Sequence, residues 1–306
     1  MITQYFRSLK TPHLEEVSDL RPGVWVHVSD PSEEELHQLA HDLDLDLGLL
    51  RDGIDPFEVP RFELDAGVAY LYTRYVEERD GETTTAPILI AIGGTFVLTL
   101  AATTPRFIEK MVTGSEYVVT TQKTKLFIQL MLGINRRYTR ALLTIRREVR
   151  RNRRNLHSIK SADVIGFVSL EDTLNDFISA LVPTNAALKS LIKGQHLELF
   201  EEDVDLIEDL QLSNEQLVES ARTLESTIIN IRSTYTTILT NNLNQIIKVL
   251  TALTIILTIP TIVGSFFGMN VELPLADNPF AFWIILVGTA ALSASVAYLF
   301  AKREWF

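Results

Sequence analysis

Two apolar runs near the C-terminus, Val249–Phe267 and Phe280–Ala301, constrain this chain more than any other feature. Each is roughly 20 residues long, the length an α-helix needs to cross a hydrocarbon core of about 30 Å. Neither contains Asp, Glu, Lys or Arg. A single run of this kind can be a buried helix of a soluble core. Two in tandem, split by a short polar loop, read as a membrane hairpin. Lys248 precedes the first run and Lys302 and Arg303 follow the second, while the loop Gly268–Pro279 carries only Glu272 and Asp277. The positive-inside bias then puts both termini in the cytoplasm and the loop outside. The N-terminal residues Met1–Glu16 have no apolar h-region, so no secretory signal is expected.

Zero cysteines exclude disulfides and thiolate metal sites. The net charge of −11 is unevenly spread: residues 1–135 sum to −10, 136–160 to +9, 161–245 to −10 and 246–306 to zero. An acidic soluble part argues against nucleic acid as a partner. The basic run Arg136–Lys160 sets ten Lys/Arg against Glu148 alone and is read as pairing with the acidic helices of the same chain.

Residues 1–105 read as mixed α/β. Val24–Val28 is a short strand, and Ser32 with Glu35 makes a capping box for a helix to about His41. Val68–Val76 alternates as a strand does. Ile88–Ile92 and Thr95–Leu100 flank Gly93-Gly94, a two-residue hairpin signal. No Gly-Lys-Ser/Thr follows that pair, so no nucleotide loop is assigned. From Thr104 the pattern turns helical. Gln122–Leu156 carries Leu126, Leu130, Ile134, Leu142, Ile145 and Val149 at helical spacing, and Ala162–Ile192 is a second amphipathic stretch. A third helix is expected from Ser213, where Ser213 and Gln216 resemble a capping box, running through Leu217, Leu224, Ile228 and Ile231 into the first apolar run. The expected division is a cytoplasmic α/β domain 1–120, a helical region 121–212, a stalk helix 213–248, spans 249–267 and 280–301 around an external loop 268–279, and a tail 302–306. The fold class is thus an α+β cytoplasmic domain followed by a long stalk helix and two C-terminal transmembrane helices.

In the first span Asn244, Thr251, Thr254, Thr258, Thr261 and Ser265 recur at spacings of 7, 3, 4, 3 and 4. At 100° per residue they occupy an arc of about 100°, a neutral polar stripe on an apolar helix. One or two such residues would ordinarily bond backbone carbonyls or a neighbouring helix. Six on one face favour a water-contacting pore lining, which requires several copies of the helix around an axis. Pro260 frees the carbonyl of Ile256 and favours a local bend. The second span, with Gly288, Ala290, Ala291, Ser293, Ala294, Ser295 and Ala297, suits close packing outside the first. Ile247 and Leu250 beside the stripe are candidates for an apolar constriction.

Phe267-Gly268-Met269-Asn270, preceded by a Pro-containing apolar helix and followed by a second span ending in Lys302-Arg303-Glu304-Trp305, resembles the CorA magnesium transporters. Trp25–Ser32 before Glu33–Leu36 looks like that family's first strand and helix, and Phe96–Thr99 like its last strand. The resemblance implies a multi-pass protein of the cell (inner) membrane, not an enzyme. It implies a funnel-shaped homo-oligomer, a homopentamer, in which the first spans line the pore and Gly268, Met269 and Asn270 form an ion-selecting external mouth. Transported Mg²⁺, with cobalt among the other candidate cations, is expected, with no organic cofactor; the lipid bilayer and divalent cations are the partners. The family also regulates itself through cytoplasmic Mg²⁺, for which Asp203, Asp205, Glu208 and Asp209 are the candidate ligands here. From Thr227 to Ile247 there is no acid, so a carboxylate ring at the inner mouth is not expected. His37 and His41 at i, i+4 near Asp42 are read as surface histidines rather than a metal pair. Two other readings stand beside this one: the related zinc-transporter branch, ZntB, and a membrane-anchored signalling or scaffold protein whose hairpin is only an anchor.

Overall fold

The computed structural model describes residues 1–79, 81–153, 161–193, 201–271, 273–274, 278–303 and 305. They form two compact units, Met1–Asn230 and Ile231–Phe306. The loop acids Glu272 and Asp277, and Arg154, Leu156 and Lys160 of the basic helix, lie outside the described residues.

The first unit is built on a seven-stranded sheet. Its strands are β1 (Ile2–Phe6), β2 (Glu15–Val17), β3 (Val24–Ser29), β4 (Arg61–Asp65), β5 (Val68–Arg79), β6 (Glu82–Ile92) and β7 (Phe96–Ala101), in the order β2-β1-β3-β7-β6-β5-β4. Only β3 and β7 pair parallel. These two central strands, VWVHVS and FVLTLA, are apolar almost without break because both of their faces are covered. Val24, Val26, Val28, Leu98 and Leu100 share one core with Leu36 and Leu39 of α1 (Glu33–Leu43) and Leu50 of α2 (Leu47–Asp52). The period of two sends Trp25, Val97 and Ile90 to the other face. There α4 (Lys123–Arg153) and α5 (Ser161–Lys193) lie against β5 and β6. Tyr138 Oη of α4 donates to the Arg74 carbonyl at 3.0 Å, and Thr73 and Thr184 of α5 share a hydroxyl bond of 2.9 Å.

Ser32 and Glu35 do close a capping box on α1. The stripe from Leu126 to Val149 is buried throughout, as its spacing requires. Two local expectations change. β6 and β7 form the hairpin, but Gly93 and Gly94 do not adopt positive φ. Gly93 is needed because a Cβ there would overlap the Phe96 ring. The two-residue turn with positive φ at both positions lies instead at Ala66-Gly67, between Asp65 and Val68.

Ser213 is not an N-cap, because α6 (Glu201–Phe267) is already under way there. Its hydroxyl accepts from Asn135 Nδ2 at 3.4 Å. Next to it Asn214 is fully buried and donates to the Leu181 carbonyl at 2.9 Å. Glu215 accepts from Lys189 at 2.9 Å and from Asn185 and Gln211, which together hold its carboxyl down at about 2. These polar bonds, with buried Ile207, Leu210, Leu217, Leu224 and Ile228, tie the first part of α6 to α4 and α5.

The second unit consists of the rest of α6 and α7 (Ala281–Lys302). Both helices are long and apolar enough to cross a membrane, and almost none of that surface is covered within the chain. Within the apolar run of α6 the covered positions are Ala252, at 0% exposure, and half-buried Ile256, Ile259 and Val263. On α7 they are Ala281, Ile285, Thr289, Ser293, Val296, Ala297 and Phe300. These are stripes at spacings of three and four, one less exposed side on each helix.

Candidate functional site

The polar stripe of α6 is turned away from that covered side. Taking Ala252, Ile256, Ile259 and Val263 as zero, the Asn244–Ser265 row is centred about 140° round the helix at 100° per residue. Asn244, Thr251, Thr254, Thr258, Thr261 and Ser265 are all exposed in the single chain, as are Ile247 at 51% and Leu250 at 62%. A hydroxyl row that served only to bond α7 would face the covered side, and this one does not.

Three of the hydroxyls are bonded to their own helix. Thr254 Oγ1 donates to the Leu250 carbonyl at 2.8 Å, Thr258 Oγ1 to Thr254 at 2.7 Å, and Thr261 Oγ1 to Leu257 at 3.0 Å. Each threonine thereby spends its proton on its own helix, the back-bonding open to Ser and Thr in any helix. What remains pointing outward at these three positions is the oxygen lone pairs, so there the row presents acceptors. The pattern extends towards the N-terminus of α6 beyond the residues singled out from the sequence. Thr236 and Thr240 lie on the same arc as Asn244, with Ser233 one turn earlier. Thr236 donates to the Arg232 carbonyl at 3.1 Å and Thr240 to that of Thr236 at 3.0 Å. Their spacing of 3, 4 and 4 to Asn244 was available in the sequence but lay outside the apolar window.

At the other end α6 tightens into a turn. The Gly268 amide donates to the Gly264 and Ser265 carbonyls at 3.0 and 3.2 Å, and the Met269 amide to Phe266 at 3.3 Å. Met269 is 52% exposed and Asn270 is exposed beside it. Gly268 has no positive φ, and a Cβ there would meet the Gly264 oxygen at an ordinary 3.4 Å. The conformation of one chain therefore does not itself demand glycine at 268. Pro260 lies inside α6, where it cannot donate to the Ile256 carbonyl. Phe282 and Trp283 meet edge-on at 5.5 Å at one end of α7, and Phe300 and Trp305 stack at 4.9 Å at the other.

The four acids ahead of the stripe do not converge within one chain. Asp203 is buried on the same side of α6 as Ile207 and Leu210, whereas Asp205, Glu208 and Asp209 are exposed. Among the described residues no three His, Cys, Asp or Glu come together as a metal cluster. His41 contacts Asp42 at 3.4 Å, and both histidines of the i, i+4 pair are exposed. In the basic run no ion pair with an acidic helix is present among the described residues 136–151. Among the described residues of 136–151 the ion pair present is Arg136 to Glu116, at 2.9 Å, and Glu116 lies in the loop before α4.

Comparison with known proteins agrees with this architecture. A cobalt/magnesium transport protein CorA of Methanocaldococcus jannaschii is 26% identical over 97% of this chain and 96% of its own length. The complete structure of the CorA magnesium transporter from the same organism superposes with a TM-score of 0.88 at 23% identity, covering 100% of this chain and 99% of that one. The full-length CmaX protein superposes at 0.79 with 17% identity over 99% of this chain and 97% of its own. The model of the CorA-like Mg²⁺ transporter protein family matches residues 23–303, and the chain belongs to that family of membrane cation transporters.

Proposed function

We propose that this protein carries Mg²⁺ into the cell through a pore lined by the Asn244–Ser265 face of several copies of α6. The observation that supports it most is the acceptor polarity of that face. A hydrated Mg²⁺ holds its six waters tightly, and those waters point their hydrogens outward. A wall of threonine oxygens whose own protons are bonded to the helix accepts from such a shell without displacing it. Neutral acceptors also hold the ion weakly enough to release it, whereas a row of carboxylates would bind more strongly. His, Cys, Asp and Glu are absent from the row, so a softer cation finds no ligand it prefers there.

Asn270 is the candidate selector at the external mouth, with Gly268 and Met269 shaping the turn. Its amide oxygen accepts from a hydrated ion as the threonines do. Ile247 and Leu250 form the apolar constriction where dewetting closes the path. The arrangement is a homopentamer in the cell (inner) membrane with both termini in the cytoplasm. Entry of a +2 ion down an inside-negative potential releases about 4–5 kcal/mol per 100 mV, so the potential suffices as driving force. Asp205, Glu208 and Asp209, exposed on one face of α6, are positioned to share a regulatory Mg²⁺ with carboxylates of another copy. Buried Asp203 instead serves the packing of α6.

The test is influx into proteoliposomes under an imposed inside-negative potential, with Mg²⁺, Co²⁺, Ni²⁺ and Zn²⁺ offered separately. The expected result is Mg²⁺ influx that Asn270→Ala abolishes while the oligomer stays intact. Normal influx in that variant removes Asn270 from the mechanism. Zn²⁺ influx without Mg²⁺ influx would move the protein to the zinc branch, and no influx of any cation would leave only a membrane anchor.

A further inference from the structure

We infer that the first unit contains a binding site for a multiply charged oxyanion of the phosphate type, set between α3 (Arg106–Val112) and the middle of α4. The site begins with a glycine. Gly133 is buried in α4, and a Cβ there would come within 2.7 Å of the Phe107 ring, so its absence lets α3 lie directly on α4. Arg106 and Lys110 are four residues apart on α3. Arg136, Arg137 and Arg140 follow Gly133 by three, four and seven residues and so share its face of α4. The close approach sets these two cationic faces around a cavity of about 160 Å³, with Phe107 and Gly133 in its wall.

Five cations and one carboxylate, Glu116, line that cavity. Glu116 is engaged by Arg136 at 2.9 Å. Arg106, Lys110, Arg137 and Arg140 form no ion pair with a described residue. Arg137 and Arg140 also border a neighbouring cavity lined by Glu78, Glu82, Glu148, Asp172 and Asp176, with none of which they form an ion pair. Like charges held together in a concavity are destabilising unless an anion enters. Guanidinium forks match phosphate oxygens geometrically, and Lys adds a point charge. The volume suits a phosphate or diphosphate group rather than a nucleic acid, and the concave shape suits a soluble anion rather than a flat bilayer surface.

The test is calorimetric titration of the full-length protein in detergent, free of divalent cations, with inorganic pyrophosphate and then inorganic phosphate. Pyrophosphate is expected to bind once per chain, more tightly than phosphate. Lys110→Gln with Arg137→Gln should weaken it at least about tenfold, because each charged hydrogen bond lost is worth a factor of that order. Arg147→Gln, exposed on α4 outside the cavity, should leave it unchanged. Thermal unfolding of each variant reports folding. Arg137→Lys, which keeps the charge and loses the fork, should weaken binding severalfold even if the double variant misfolds. Absence of pyrophosphate binding, equal affinity in Lys110→Gln with Arg137→Gln, or equal weakening by Arg147→Gln would overturn the site. Binding confined to anionic phospholipid vesicles, with none to pyrophosphate, would overturn it in favour of a membrane contact.

Discussion

In the sheet-bearing unit Trp25, Leu98 and Phe127 are 0% exposed, whereas in the second unit Leu250, Leu257 and Val287 are 62%, 60% and 63% exposed. The same kind of side chain has opposite surroundings in the two regions. The first unit removes its apolar surface from water with its own helices and strands, so burial drives its folding. The second covers a narrow stripe on each helix and leaves the rest of its apolar surface uncovered within the chain, as suits contact with lipid. In lipid that apolar surface gains little by association, so polar groups and close packing decide how such helices meet. That is why a row of hydroxyls carries more information in α6 than any of its leucines.

The contrast predicts its own largest effect. Phe127→Ala empties a fully buried site and should cost the first unit about 3–5 kcal/mol in thermal or denaturant unfolding. Leu257→Ala, by contrast, should change unfolding by less than about 0.5 kcal/mol. Comparable losses from the two substitutions would break the comparison.

A smaller effect comes from His27 on β3. Burial pushes its pKa down to about 4. Its ring is held by the Thr99 hydroxyl at 2.9 Å, and that oxygen also accepts from Trp25 Nε1 at 3.0 Å. The unfolded chain takes up a proton near pH 6.5 while the folded chain stays neutral down to about 4. Stability is therefore full above 6.5 and is lost as the pH falls towards 4, by about 3 kcal/mol at most. Melting curves across that window should show the loss, and His27→Gln should flatten it. An unchanged slope would mean that His27 is not the group responsible.

Smaller again in free energy is the paired change Thr254→Val and Thr258→Val, which keeps shape and removes two acceptors. Influx of Mg²⁺ should fall about tenfold, equivalent to about 1.4 kcal/mol on the barrier, with melting of the first unit unchanged. The smallest effect belongs to Ala66, whose φ of +46 lies in the left-handed region. Ala66→Gly should raise stability by about 1 kcal/mol, read from the same denaturant curves.

Much of this was legible in the sequence because periodicity reports burial. The α4 stripe, the capping box at Ser32 and the two apolar runs each follow from spacing alone. The short strands β1, β2 and β4 and the helices α2 and α3 carry too few periods to declare themselves. The start of α6 was obscured because Ser213 and Gln216 mimic a cap inside a longer helix, where Ser213 instead accepts from Asn135. At the candidate site the stripe was visible, but the direction of each hydroxyl is a property of three-dimensional geometry. The surroundings of the α4 cations were not legible for a related reason. Charge runs suggest pairing by composition, whereas the cavity that Arg137 and Arg140 line with Arg106 and Lys110 depends on how α3 lies on α4.

Because the chain has no cysteine, single cysteines can be placed on α6 without a background. With the full-length protein in liposomes, a membrane-impermeant, water-soluble thiol reagent should modify Thr251→Cys, Thr254→Cys, Thr258→Cys and Thr261→Cys. It should spare Ala252→Cys, Ile256→Cys and Ile259→Cys on the covered side. Modification in that periodic pattern is the result expected of a wet hydroxyl face. Protection of all four threonine positions, or equal reaction all round the helix, would contradict it.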